Sequence, residues 1–218
     1  MLTLAISTSS GQFALVIGEN KQALFDSSDH LGQEKELDDM FSIGLKYCKR
    51  EVSEITDILV DIGPGGTSRV RTGIAFANAL AYSLGISVCA VSSMELAGID
   101  ATDRFGGLPV INAIKSIKGN AYIGLYHQSL LSINYGTVQD IVPLLVKDIE
   151  KFVVVGFHRE AIMRIPSLHN KTIIDSSMSF GAAKMMIERS DLFLKNKHGF
   201  PAYAQPITEK TLIHHAEF

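Results

Sequence analysis

Ile58-Leu59-Val60-Asp61-Ile62 runs into Gly63-Pro64-Gly65-Gly66 and then into Thr67-Ser68-Arg69-Val70-Arg71. An apolar strand pattern is cut by a glycine-proline turn and followed at once by helical spacing. Thr67 or Ser68 can cap the helix, which is expected to reach about Leu84, and Ser87 to Val91 supplies a further strand. A helix that carries the chain from one strand to the next implies parallel pairing of the two. Gly73, Ala77 and Ala81 line one face of that helix and permit close backbone approach. Ser92-Ser93-Met94-Glu95 then fits a capping box, with Ser92 and Glu95 satisfying the first donors of another helix.

Upstream the period is two. Leu2 to Ile6 is a short apolar run that ends in the small-residue turn Ser7-Thr8-Ser9-Ser10-Gly11, and Phe13 to Ile17 follows. Gly18-Glu19-Asn20-Lys21 turns the chain again into Gln22 to Ser27, giving three antiparallel strands. From Gln33 to Arg50 the apolar residues return at helical spacing and cover an arc of about 200°, wider than one core requires. Three antiparallel strands followed by helix, strand, helix and strand is the layout of one lobe of the actin-like, Hsp70-like ATPase (ASKHA) fold, an α/β architecture.

Residues 100–107 read as a linker, after which the pattern starts afresh. Strands are expected at Pro109 to Ile114, Ala121 to His127, Ile133 to Val138 and Phe152 to Gly156, and a helix at Gly181 to Arg189. Two lobes follow, residues 1–100 and 101–218, the second truncated because too few residues remain for a full lobe. Residues 195–218 show no clear periodicity.

The 218 residues suffice for a real core, with 46% hydrophobic residues, 20% charged residues and a formal net charge of -3. No segment has the basic excess by which a free-standing nucleic-acid binder neutralises phosphates, so any RNA is expected to be held by another protein. Cys48 and Cys89 lack CxxC spacing and read as reduced core residues. The chain opens in a strand pattern without the basic region of a signal peptide, and no apolar run approaches the roughly 20 residues of a membrane-spanning helix. A cytoplasmic protein with no membrane contact is expected.

A kinase of this fold needs a carboxylate at the end of its first strand for magnesium, and Ser7 cannot supply one. Gly63 and Gly65, ahead of a helix start, together with Arg71, form a weak candidate site for an anion or nucleotide, although no Lys follows in P-loop spacing. The plainer reading of these glycines is a tight strand-to-helix turn. His30 and Glu34 are at most half of a metal site, and the other histidines join no nucleophile motif. No catalytic residue, metal site or cofactor is expected of the chain by itself.

Gly63, Pro64, Gly65, Arg71 and Gly73, and then Val91-Ser92-Ser93-Met94-Glu95-Leu96-Ala97, resemble the TsaB (YeaZ) family, whose pattern is G-P-G-S-F-T-G-L-R-I-G followed by V-S-S-x-E-x-L. Leu4-Ala5-Ile6-Ser7-Thr8-Ser9 is similar to the family's L-A-I-D-T-S start, with Ser7 where Asp is usual. The resemblance is good over residues 1–100 and thin beyond. It implies a non-catalytic subunit that works with a TsaD-like catalytic subunit and a TsaE-like ATPase. That machinery transfers a threonylcarbamoyl group to the adenosine beside the tRNA anticodon. It also implies pairing through the first lobe's helices, as a homodimer when alone, with tRNA contacted indirectly and any nucleotide held at the partner junction. The alternative from another class is an ATP-dependent small-molecule kinase of the same fold; a metalloprotease ranks last, for want of H-x-x-x-H.

The first helix divides into two stripes, Leu37, Phe41, Leu45 and Cys48, and Met40, Ile43 and Tyr47. Cys and Leu are favoured in cores and Tyr and Met at interfaces. Met40, Ile43 and Tyr47 are therefore assigned to the partner, joined by Ile74, Asn78 and Tyr82 of the small-residue helix.

Overall fold

A computed structural model of the chain describes residues 1–9, 12–30, 35–176 and 182–196. They divide into two compact units, residues 1–93 with 182–196, and residues 94–176. The first unit holds β1 (Leu2–Ser7), β2 (Ala14–Glu19), β3 (Gln22–Asp26), α1 (Ser27–His30), α2 (Leu37–Cys48), β4 (Ile55–Asp61), α3 (Thr67–Leu84) and β5 (Val88–Val91). The second begins within α4 (Ser93–Arg104) and continues through β6 (Val110–Lys115), β7 (Ala121–His127), β8 (Ser129–Gly136), α5 (Val138–Leu145), β9 (Lys151–Gly156), α6 (Arg159–Met163) and β10 (Thr172–Asp175). Helices α7 (Ala182–Glu188) and α8 (Ser190–Phe193) return the chain to the first unit.

The sheet of the first unit has the order β3-β2-β1-β4-β5, and that of the second β10-β9-β6-β7-β8. Read from its own first strand, each sheet therefore runs 3-2-1-4-5. In both, the first three strands are antiparallel neighbours and the last two join in parallel through a helix. This duplicated mixed sheet with helical crossovers is the actin-like α/β fold. The second unit keeps all five strands; its abbreviation lies in the helices, 8 residues in α5 and 5 in α6 against 12 in α2 and 18 in α3.

Every residue of β1 is buried, as a central strand covered on both faces must be. Leu2, Leu4 and Ile6 join Leu15, Ile17, Ile58 and Val60 in the core beneath α2 and α3. On the opposite face, Gly18 lets α7 approach: a Cβ there would meet the Ile187 side chain and lie 2.8 Å from the Gln22 carbonyl oxygen. In the second unit Ile111, Ile123, Phe152 and Val154 pack with Val138 and Val142 of α5. Met94 of α4 packs with Tyr122 and Ile133.

Three expectations are revised. The division falls between Ser93 and Met94 rather than near residue 100, and residues 182–196 go with the first unit rather than the second. The stretch read as the start of a linker, Asp100 to Arg104, is the last turn of α4, where Arg104 pairs with Asp100 at 3.2 Å across one helical turn. Helices α5 and α6 and strand β10 had no counterpart in the sequence reading. Among the described residues no helix is long and apolar enough to cross a membrane.

Candidate functional site

The end of β4 and the turn after it form a closed polar joint with the end of β1. Asp61 is fully buried; its Oδ2 accepts from Ser7 Oγ at 2.8 Å and from Ser9 Oγ, and its Oδ1 accepts from the Gly63 backbone N–H at 2.9 Å. Burial raises the Asp61 pKa, and the hydrogen bonds from Ser9, Gly63 and Ser7 offset this only in part. Gly63 has φ +92°, where a side chain would be strained, and its peptide bond to Pro64 is cis. Gly65 lies against the backbone of Ser9, such that a Cβ would fall 2.6 Å from the Ser9 Cα, and Gly73 of α3 lies as closely against the Thr8 side chain. From the far side Ser93 Oγ donates to the Pro64 carbonyl at 2.8 Å and Ser93 N–H to the Gly63 carbonyl at 2.9 Å.

For the expected anion site this geometry has a direct consequence. The Gly63 N–H is given to Asp61 and the Gly66 N–H points to the Ser9 carbonyl at 3.4 Å, so two turn donors already have internal acceptors. Arg71 is exposed on α3, one residue beyond buried Val70. Among the described residues no cluster of His, Cys, Asp or Glu could hold a metal; Glu34, the expected companion of His30, lies outside them. The His30 ring stacks on Phe25 at 5.3 Å and lies tilted against Tyr47 at 4.5 Å.

The second feature is the exposed side of each of the helices α2 and α3. Ile43 and Tyr47 of α2 and Tyr82 of α3 are exposed, Tyr82 at 85%. Phe41 and Phe76 meet edge to face at 5.7 Å and tie the two helices together. Met40 and Ile74, both assigned to this face from the sequence, are instead buried at 2% and 6% exposure, and Asn78 is half-buried. Gly44 explains Met40. A Cβ at Gly44 would lie 2.7 Å from the Phe25 ring, so α2 touches the sheet there and turns Leu37, Met40 and Leu45 inward together.

Residues 33–180 match the family model described as TsaD, tRNA N6-adenosine threonylcarbamoyltransferase. The chain belongs to this family. Within it, the chain is similar to TsaB and YeaZ proteins. It is 29% identical over 147 residues to the tRNA threonylcarbamoyladenosine biosynthesis protein TsaB of Bacillus subtilis (strain 168), a match over 66% of this chain. The matched part spans 60% of that relative's length. A Pseudomonas aeruginosa structure described as similar to the peptidase YeaZ shares the fold with a TM-score of 0.75 at 20% identity, over 95% of this chain and 99% of the other. YeaZ from Pseudomonas aeruginosa superposes with a TM-score of 0.70 at 20% identity, over 89% and 92% of the two chains. The family match extends well beyond residue 100, where the legible motifs thin out.

Asp61 was missed as a site residue. Its signal was nonetheless in the sequence, as a carboxylate directly after the apolar run Ile58-Leu59-Val60.

Proposed function

We propose that this chain is the non-catalytic, TsaB-type subunit of a tRNA threonylcarbamoylation complex, pairing with a TsaD-type catalytic subunit alongside a TsaE-type ATPase. When alone it pairs with a second copy of itself through the same face. The reading rests on the exposed apolar residues of the two helices, Ile43 and Tyr47 on α2 and Tyr82 on α3. Exposed aromatic and aliphatic residues on rigid helices are the anchors that protein partners bury. Two further observations support a role without chemistry of its own. Ser7 stands where a kinase of this fold needs a carboxylate, and Asp61 beside it is buried with both oxygens engaged. The net charge of -3 favours indirect contact with tRNA.

The test is capture by an immobilised TsaD-type subunit. Ile43→Asp and Tyr82→Asp should keep the wild-type melting temperature and lose at least about 30-fold in affinity, because each buries an unpaired charge in the complex. Undiminished capture by both folded variants would overturn the assignment of the face.

A further inference from the structure

Strands β1 and β4 are parallel neighbours whose register pairs Ile6 with Val60. Ser7 and Asp61 therefore stand opposite each other at the two strand ends, with side chains on the same face of the sheet. Ser7 Oγ reaches Asp61 Oδ2 at 2.8 Å. A carboxylate carried by either backbone would occupy nearly the same volume, within reach of Ser9, whose hydroxyl also donates to Asp61. This chain carries that carboxylate on β4, with a hydroxyl opposite it on β1.

We propose that Asp61 fills a carboxylate position shared by the ends of β1 and β4, where it acts as the positioning residue of the joint. Its Oδ2 holds Ser7 and Ser9 while its Oδ1 holds the Gly63 N–H, so one side chain fastens the β1 turn to the β4 turn. With the β1 turn fixed, Thr8 seats Gly73 and so sets the first turns of α3. The role stands independently of the partner reading, because it depends only on contacts inside the first unit.

Exchange of the two residues tests it without changing composition. Ser7→Asp alone places two carboxylates in one buried site, and Asp61→Ser alone leaves two hydroxyls and an N–H without their acceptor. Each single variant should melt roughly 5 °C or more below wild type. The double variant S7D/D61S should melt above both singles, and a single that does not fold counts as the larger loss. The control S7N/D61S, with an amide of the same shape, should not recover. The proposal is overturned if either single melts with wild type, if S7D/D61S melts at or below either single or does not fold, or if S7N/D61S recovers as well as S7D/D61S.

Discussion

At Asp61, burial and hydrogen bonding act in opposite directions, and burial prevails. The folded-state pKa is raised above the ordinary 3.8, so the folded chain holds the proton more tightly than the unfolded chain does. Its contribution to stability is therefore fully present below the unfolded-state pKa and is lost as pH rises through the raised folded pKa. Asp61→Asn keeps the shape and removes the titration. Between about pH 7 and about pH 4 the melting-temperature difference should move in favour of wild type as pH falls; a difference independent of pH would contradict the direction of the shift. Gly65 makes a second prediction at this scale. Because the Ser9 backbone lies in the path of any Cβ, Gly65→Ala should cost about 2 kcal/mol or more, read as a clear fall in melting temperature. An unchanged melting temperature would mean that the turn can open. Gly63, Gly65 and Gly73 were legible as a tight turn from residue type alone. That the turn is filled by Asp61 and Ser9 was not, because strand register brings together residues 52 and 54 positions apart.

Helix α2 shows how far periodicity carries. The sequence located the helix and its apolar arc, and Leu37, Phe41, Leu45 and Cys48 do face the core. Which edge of a wide arc stays dry depends on where the backbone touches the sheet, and Gly44 decides that by contact with Phe25, a residue on another element. Met40→Asp should therefore unfold the chain or cost several kcal/mol, whereas Ile43→Asp, one helical turn away on the outer face, should fold normally. Circular dichroism melts of the pair check this; equal stability would mean that the helix is rotated from the orientation described. Tyr82, on the exposed face of α3, should tolerate truncation to Ala with a change within about 0.5 kcal/mol. Helix α5 carries Pro143 inside its 8 residues and α6 has only 5, so neither is long enough for a helical period to register. Strand β10 has 4 residues, none fully buried, and presents no alternation strong enough to mark it.

For the whole molecule, the order of elements in the first 91 residues was enough to indicate the actin-like lobe, and the repeated 3-2-1-4-5 sheet bears that out. The division into units was harder to read. Helix α4, after β5, packs in the second unit, whereas α7, after β10, packs in the first, an exchange that leaves no break in composition at the boundary. The loop-like Asp100 to Arg104 then misplaces the boundary, because its charges form a helical ion pair rather than a solvated linker. The most direct measurement is threonylcarbamoyl transfer to substrate tRNA in a reconstituted reaction, with this chain alone, with the TsaD-type and TsaE-type proteins alone, and with all three together. Transfer should appear only in the complete mixture; turnover by this chain alone, or full transfer in its absence, would contradict the assignment as a non-catalytic and required subunit.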